Sequence, residues 1–432
     1  GLSCILVCTL GVYLAYSKFF VSKEEAVIKT TVGNFTQDDV VIGAYLDGEY
    51  SSTIPDKDDG YVVEKVVCDN GATGEWNNDK WGLLTTNLSK RAKCNVYFKK
   101  VVSKVPDIIA TVDTSGKCPT MNADGSVSVT AKEVTNGYLC KAKDSYGDSY
   151  YYRGNVTNNY VKFADKYWRI VRINGDGTVR VIYDGTSSHA NGESSSDRQI
   201  GTSAFNRSYN DNAYVGYMYG ATGASTYAAA HANTNDSTIK AYIDNWYKAN
   251  ILGTANEEYL ADNIFCNDRS ISSNKPSSSF NNLGYGANAT AYRWYYFANS
   301  SYNNKMMLTC PQQNDAFTVS DTINGNGALT YPIGLLSMDE IVLAGGWSTS
   351  SGWSTSNSGY YLYSGQVWWA SSPFSFDGNN AFVRGVLSNG NANLDCYVNS
   401  ASGVRPVFNL KADTLAQGSG TASDPYRISL NS

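Results

Sequence analysis

The chain begins with seventeen residues that carry no charge. Gly1 to Ser17 read GLSCILVCTLGVYLAYS, and the first charged side chain is Lys18. As a helix, the stretch up to Val21 would span roughly 30 Å, which is the thickness of the hydrocarbon core of a bilayer. Such an apolar helix must be buried in lipid or against other helices. We therefore expect residues 1–35 to anchor the chain in a membrane or to assemble it with copies of itself.

Four interpretations of this first segment compete. A membrane anchor is the simplest. A cleaved signal peptide is less favoured, because no small-x-small cleavage site follows the apolar stretch. A lipoprotein signal is not expected, because neither Cys4 nor Cys8 follows the small residues typical of such a signal. A pilin-like helix would pack with its copies in a filament, although Ile5 stands where type IV pilins usually carry Glu. The apolar side chains expected to make these contacts are Leu2, Ile5, Leu6, Leu10, Val12 and Leu14.

The composition of the 432-residue chain indicates folded domains. Hydrophobic residues make up 42%, which excludes wholesale disorder, and the length suits two or three domains. The 34 basic and 39 acidic residues give a net charge of -5, so the basic surface of a nucleic-acid binder is not expected. The 33 tyrosines and 39 glycines are typical of β proteins with many turns, and also of surfaces that bind through aromatic and polar contacts.

Seven cysteines follow the apolar segment, and no two of them form a C-x-x-C pair. A zinc ribbon or a redox site is therefore not expected, whereas disulfides in an oxidising compartment are. The sequence does not determine the connectivity, but pairing neighbours gives Cys68–Cys94, Cys118–Cys140 and Cys266–Cys310. Each such loop would contribute about 3–4 kcal/mol. Cys396 is left over, either as a buried free thiol, which we favour, or as a partner for another chain.

Two folded regions are expected after the first segment. Residues 36–102 contain short alternating runs separated by turn residues, which predicts a small antiparallel β domain. Residues 101–117 have the composition of a linker. The sequence of residues 103–432, which includes most of this linker, predicts an α+β head domain rich in strands. In the head, NGDG at Asn174–Gly177 separates two strand-like runs and predicts a hairpin, and Asn122–Val127 predicts a similar turn. Ser187–Gly201 and Trp347–Gly359 are predicted to be long surface loops.

Two helices are predicted in the head. The first follows a cap at Asp236 or Ser237, places Ile239, Tyr242, Ile243 and Trp246 on one face, and ends near Gly253. The second begins in SMDEIVLAGG, where Ser337 and Glu340 have the spacing of a capping box and two glycines stop the helix. We therefore assign Asp339 and Glu340 a structural role rather than acid–base chemistry.

An ordered series of motifs in the head resembles a family of uncharacterised bacterial cell-surface domains. The motifs are YYYRGNVTNNYVKFADKYWRIVRINGDGTVRVIYDG (150–185), FCNDRS (265–270), CPQQNDAFTV (310–319), GNGALTYPIGLLSMDEIVLAGG (325–346), VWWASSP (367–373) and GVRPVFNLK (403–411). The last two also resemble the end of the C-type-lectin-like fold shared with formylglycine-generating enzymes. Those enzymes need a late cysteine pair, whereas only Cys396 is present here, and the calcium motifs of lectins are missing. The resemblance therefore implies a fold rather than an activity.

Few residues are candidates for chemistry. The two histidines, His189 and His231, lie in loop-like contexts without a nucleophile motif, and no phosphate-binding loop or metal motif is found. The best ligand-binding candidates are Trp368, Trp369, Asp377 and Arg384, because aromatic faces beside polar groups suit sugar or peptide recognition. The alternative is that both tryptophans belong to the core and that Arg405 or Arg384 meets a buried carboxylate. Since neighbouring residues of a strand point in opposite directions, we expect the tryptophan that faces inward to belong to the core.

The sequence thus predicts an extracellular, disulfide-containing, β-rich α+β protein without cofactor or metal. Its predicted role is non-enzymatic adhesion or structural display on a bacterial surface, with membrane lipid or identical subunits as partners of the first helix and a host or glycan ligand for the head. A pilus-like filament subunit and a membrane-tethered protein remain alternatives. The competing prediction is a tethered glycan-binding or glycan-active protein on a C-type-lectin-like scaffold.

Overall fold

The computed structural model describes residues 40–78, 80–86, 91–296, 305–347, 356–392 and 394–428. In these ranges the chain is rich in strands and has few helices, as the β-rich α+β class requires. It separates into two compact units: the small unit, up to Val102, and the head, Ser103–Ile428. The predicted anchoring helix with its six apolar side chains lies outside the described residues. None of the helices in the described ranges is both long and apolar enough to cross a membrane.

The small unit is built on a four-stranded sheet in the order β2-β1-β6-β3. The bounds are β1 (Val40–Leu46), β2 (Glu49–Ser51), β3 (Tyr61–Cys68) and β6 (Ala92–Lys100), and β4 (Thr73–Asn77) with β5 (Gly82–Thr86) forms a separate hairpin. The expectation of a purely antiparallel unit is wrong, because β1 runs parallel to β6. A parallel neighbour requires a crossover, and the chain from β2 to β5 supplies it.

One face of this sheet forms the core of the small unit. Along β6, Cys94, Val96 and Phe98 are at most 1% exposed, while the residues between them point outward with the period of two that a strand imposes. Trp76 and Trp81 cover Phe98, with ring centroids 5.2 and 5.9 Å away. The Cys68–Cys94 disulfide joins β3 to β6 beside this aromatic cluster.

The first sheet of the head has the order β25-β13-β12-β10-β9, with β11 paired to β12 and β26 to β11. The bounds are β9 (Gly137–Asp144), β10 (Gly147–Gly154), β11 (Tyr160–Phe163), β12 (Lys166–Ile173), β13 (Val179–Gly185), β25 (Val407–Leu410) and β26 (Tyr426–Arg427). The NGDG turn joins β12 to β13 as predicted. Gly177 has φ +85°, a left-handed conformation that favours glycine.

The second sheet of the head has the order β14-β24-β21-β22-β23, with β18 paired to β21. The bounds are β14 (Thr202–Ser203), β18 (Thr290–Ala291), β21 (Trp368–Phe376), β22 (Ala381–Val386), β23 (Leu394–Tyr397) and β24 (Ser402–Gly403). Short pairings involve β7 (Thr120–Met121), β8 (Val127–Ser128), β15 (Met218–Tyr219), β16 (Asn235–Asp236), β17 (Phe265–Cys266), β19 (Lys305–Met306) and β20 (Ala316–Phe317). The turn predicted at Asn122–Val127 joins β7 to β8.

Four α-helices are described, all in the head: α1 (Val105–Ile109), α2 (Tyr227–Ala230), α3 (Thr238–Asn250) and α4 (Met338–Leu343). Of the two cap candidates for α3, Ser237 is the one that accepts a hydrogen bond from the Lys240 amide. The predicted capping box at α4 is confirmed, because the Ser337 and Glu340 side chains each accept the other residue's backbone N–H. Sequence thus located both helix starts.

The expectation of a linker at residues 101–117 is wrong. Helix α1 lies in this stretch, and Val105 and Ile108 are buried in the core of the head. The Lys104 amide also donates a hydrogen bond of 2.7 Å to the carbonyl of Leu415. Pro106 in the first turn is compatible with a helix, because the first N–H groups have no intrahelical partner.

The disulfides are Cys68–Cys94, Cys118–Cys140 and Cys266–Cys310, which are the neighbour pairs that we favoured. They indicate an oxidising environment. Cys396 is the free cysteine of the described residues and lies on β23. It is partly exposed, so the favoured expectation of a buried thiol is wrong.

Candidate functional site: a polar cleft in the head

The tryptophan pair chosen from the sequence lies inside the protein. Trp368 is 1% exposed and Trp369 is 0% exposed. The Trp369 Nε1 donates a hydrogen bond of 2.9 Å to the Ser203 carbonyl, and the Arg405 guanidinium lies 5.1 Å from the centre of the Trp368 ring. The expectation that only one of the two would be in the core is wrong, because β21 is covered on both of its faces.

Arg384 and Asp377 do not join the tryptophans in one site. Arg384 is 3% exposed, donates to the carbonyl of Trp294 and lies 4.3 Å from the centre of the Phe374 ring. Burial lowers the pKa of its guanidinium to about 10. Asp377 is exposed and accepts hydrogen bonds from the amides of Asn379 and Asn380 in the β21–β22 turn. Three of the four candidates therefore pack the core, and the fourth shapes a turn.

Both histidines are held by local contacts. The Nδ1 and Nε2 of His189 lie 2.7 and 2.9 Å from carboxylate oxygens of Glu193 and Asp197. The Nε2 of His231 lies 3.0 Å from the carbonyl of Gly284, to which it donates. Burial lowers the pKa of His231 to about 3, with a further contribution from the nearby Arg269 guanidinium.

The acidic pair at the start of α4 bonds to arginines, of which Arg172 and Arg180 are buried and Arg293 is partly buried. Asp339 forms an ion pair with Arg293 and accepts a hydrogen bond of 3.2 Å from the Trp294 Nε1. Besides its place in the capping box, Glu340 lies 3.2 Å from the Nε of Arg172 and 2.6 Å from that of Arg180. These contacts agree with the structural role that we assigned to both carboxylates.

Three arginines surround one buried carboxylate, and Arg405 is among them. Asp184 is 0% exposed, and its oxygens lie 2.7 Å from Arg198, 2.8 Å from Arg405 and 3.9 Å from Arg169. Arg198 belongs to the segment predicted as a surface loop, yet it is fully buried. The spare donors bond to backbone carbonyls, including that of Tyr361. The cluster therefore fixes irregular segments against β12 and β13.

An open cleft of about 490 Å³ lies at one edge of the first sheet of the head. The chain just after α1 forms one side, the start of β9 and part of β10 form the base, and the segment between β10 and β11 forms the other side. The lining residues are Thr111, Asp113, Gly137, Tyr138, Leu139, Tyr152, Asn155, Val156, Thr157 and Asn158. This volume lies within the range typical of small-ligand sites.

The cleft combines aromatic rings with amide and hydroxyl groups. Tyr138 is half-buried, Thr157 and Asn158 are exposed, and Tyr152 is 3% exposed. Burial raises the pKa of Tyr152, so its hydroxyl keeps its proton near neutral pH. Asp113 is the one carboxylate in the lining, and its two oxygens accept from the amides of residues 115, 117 and 118 and from the hydroxyl of residue 115. The lining is thus largely neutral and polar.

The side of the cleft after β10 is held in place by neighbouring residues. The Asn155 amide donates to the Asn136 carbonyl at 2.8 Å, and the Asn155 side-chain oxygen accepts from the Asn191 Nδ2 at 2.6 Å. Asn191 also donates to the carbonyl of Val156. At Gly137, a Cβ atom would lie 2.8 Å from the Asn155 carbonyl oxygen, so only glycine fits this close approach. The cleft is therefore formed before any ligand arrives.

Sequence reasoning missed the cleft because its residues come from three separate segments. The run GNVTNN after β10 is polar, but it is no different in kind from the other Asn-rich turns of the chain. In the parts of the chain that the structure describes, no cluster of His, Cys, Asp or Glu is placed to hold a metal ion. No protein-family model, curated protein or solved structure matches this chain.

Proposed function

We propose that this chain is a non-enzymatic bacterial cell-surface adhesion protein whose head binds a neutral saccharide in the cleft. The proposal rests on one observation, the cleft itself. Tyrosine rings and neutral polar groups line it, and contacts with surrounding residues hold its lining in place. The three disulfides support an extracellular location. The N-terminal apolar segment would hold the protein in the membrane or in a filament of identical subunits, and this part of the proposal rests on its sequence alone.

A saccharide suits this lining for chemical reasons. Sugar hydroxyls need donors and acceptors of the kind that Asn158 and Thr157 offer, and the C–H face of a sugar ring packs on an aromatic ring such as Tyr138. An anionic ligand would find no counter-charge, because Asp113 is the one charged side chain of the lining and is itself an anion. A neutral oligosaccharide therefore fits better than a phosphate or an acidic peptide.

A binding role is also supported by the contacts of the histidines and carboxylates that lie outside the cleft. His189 lies against two carboxylates, His231 donates to a carbonyl, and Asp339 and Glu340 form ion pairs with arginines. Each of these side chains is bonded to other groups of the folded head. They are therefore poor candidates for groups that change protonation during a reaction.

The proposal is tested by screening the detergent-solubilised full chain on a glycan array and measuring the best neutral saccharide by calorimetry. Tyr138→Ala and Asn158→Ala should each weaken binding roughly tenfold, which corresponds to about 1.4 kcal/mol. Tyr138→Phe separates the ring from its hydroxyl, because it should lose affinity only if the hydroxyl bonds to the sugar. Tyr209→Ala is a matched control, since Tyr209 is an exposed tyrosine of the head outside the cleft. Absence of saccharide binding, or equal losses in the control, would contradict the proposal.

A further inference from the structure

The first and last strands of the small unit are direct neighbours and run in the same direction. Strands β1 and β6 pair in parallel over seven consecutive residues, from Val40 opposite Ala92 to Leu46 opposite Phe98. At about 3.3 Å per residue the paired segment is about 20 Å long. Within the described residues the small unit begins at β1 and ends after β6, so this one pairing joins its first and last described strands.

The direction of the pairing decides how tension acts on it. Because the strands are parallel, the start of β1 and the end of β6 lie at opposite ends of the paired segment. Tension applied at residues 40 and 101 therefore runs along both strands and slides them past each other. The hydrogen bonds of a parallel pair are evenly spaced, so they share this load rather than breaking one after another. An antiparallel pair of terminal strands would instead open from one end.

We propose that the small unit is a force-bearing clamp that keeps the head attached under tension, with the β1–β6 pairing as its resisting element. Such a load would arise if the head binds a surface while the chain before residue 40 is held. The clamp itself follows from the strand topology alone, whether or not the cleft binds a saccharide. The small unit would then have a mechanical function, and ligand binding would belong to the head.

Side-chain contacts on both faces reinforce the two strands. On one face Ala44, Val96 and Phe98 are at most 3% exposed in the core of the small unit. On the other face Tyr45 stacks on Tyr97, its partner in the register, with ring centroids 4.8 Å apart and an interplanar angle of 17°. Sliding the strands by one residue would disrupt both sets of contacts, because successive side chains point to opposite faces.

The disulfide protects the other edge of β6 and limits how far the unit extends. Cys68 on β3 and Cys94 on β6 are opposite each other in the antiparallel register, so β6 stays covalently attached to β3 when β1 is pulled away. The bridge spans 26 residues, which remain a closed loop under tension. At up to about 3.5 Å per residue, these residues represent about 90 Å of extension that becomes available only after reduction.

The test is single-molecule pulling on the full chain, with handles on unnatural amino acids. Handles at positions 40 and 101 load the pairing in shear and leave the head outside the force path. Handles at positions 40 and 91 pull on adjacent ends of β1 and β6, so the same pairing opens one residue pair at a time. We expect a severalfold higher rupture force for the first geometry than for the second. Equal rupture forces in the two geometries would overturn the clamp.

A second measurement checks the force path with the same handles at positions 40 and 101 and no further substitution. In the shear geometry, adding reductant should leave the rupture force nearly unchanged and lengthen the extension by about 90 Å, since the closed loop of 26 residues is released. A large fall in rupture force on reduction would mean that the disulfide, and not the β1–β6 pairing, resists the load. That result would also overturn the proposal.

Discussion

Acidification is expected to destabilise the head through a single buried histidine. His231 is 1% exposed, and its Nε2 donates to the Gly284 carbonyl. Its Nδ1 has no hydrogen-bond partner among the described residues. Burial, followed by the charge of Arg269, lowers the pKa of His231 to about 3. A second proton on this ring would therefore be a buried, unpaired charge beside another cation.

The sign and size of the effect follow from the two pKa values. The ordinary value is 6.5, so between pH 6.5 and about 3 the unfolded chain binds a proton that the folded head rejects. Stability from this group is complete above pH 6.5 and is lost as the pH falls. One pH unit in this window costs about 1.4 kcal/mol. Going from pH 7 to pH 4.5 should therefore remove about 2.5 kcal/mol from the free energy of unfolding.

The assay compares urea unfolding of the native chain and His231→Gln at the two pH values. Glutamine retains an N–H donor for the Gly284 carbonyl but does not titrate, so acidification should cost the variant about 2.5 kcal/mol less than the native chain. Since the chain has two histidines, NMR of ¹⁵N-labelled rings follows His231 directly, with His189→Gln as the assignment control. A His231 ring that titrates near pH 6.5, or equal acid sensitivity of both proteins, would refute the reasoning.

Two further outcomes concern the charge cluster and a disulfide. Asp184→Asn should lower the free energy of unfolding by about 3–5 kcal/mol, because it leaves three buried arginines without their carboxylate. Urea unfolding measures this, with Asp377→Asn in an exposed turn as the control, and equal effects of the two changes would contradict it. Replacing Cys118 and Cys140 together with alanine should cost about 3 kcal/mol, because the bridge closes a loop of 22 residues. Unchanged stability in the absence of reductant would show that this loop is ordered without its bridge.

Local signals in the sequence were sufficient for part of the fold. The NGDG turn and the caps at Ser237 and Ser337 each depend on residues close together in the chain. The cysteine connectivity does not, and the neighbour pairing was one choice among several that the sequence allows. The parallel β1–β6 pairing was not visible, because alternating runs look the same whichever way the partner strand runs. It was also not visible that β21 is covered on both faces, so both of its tryptophans lie in the core.

The candidate site was harder to predict than the fold. Aromatic and charged side chains predict a binding surface, but Trp369 and Arg384 are interior groups whose polar atoms donate hydrogen bonds to backbone carbonyls of the protein itself. The cleft is lined by ordinary turn residues such as Asn155 and Asn158. These turn residues differ from others of the chain because neighbouring residues fix their positions around the cleft. Gly137 and Asn191, which come from other parts of the chain, are two of these neighbours.

The burial of arginine in the head has a consequence for proteolysis. Eight of the twelve arginines in the chain are at most 5% exposed. They are Arg153, Arg169, Arg172, Arg180, Arg198, Arg269, Arg384 and Arg405. An arginine-specific protease would find these eight target bonds inside the folded head, whereas Arg91 and Arg207 are exposed and open to it in the folded protein. Cleavage after the buried arginines therefore reports how often the head opens, because the protease reaches those bonds only in opened molecules.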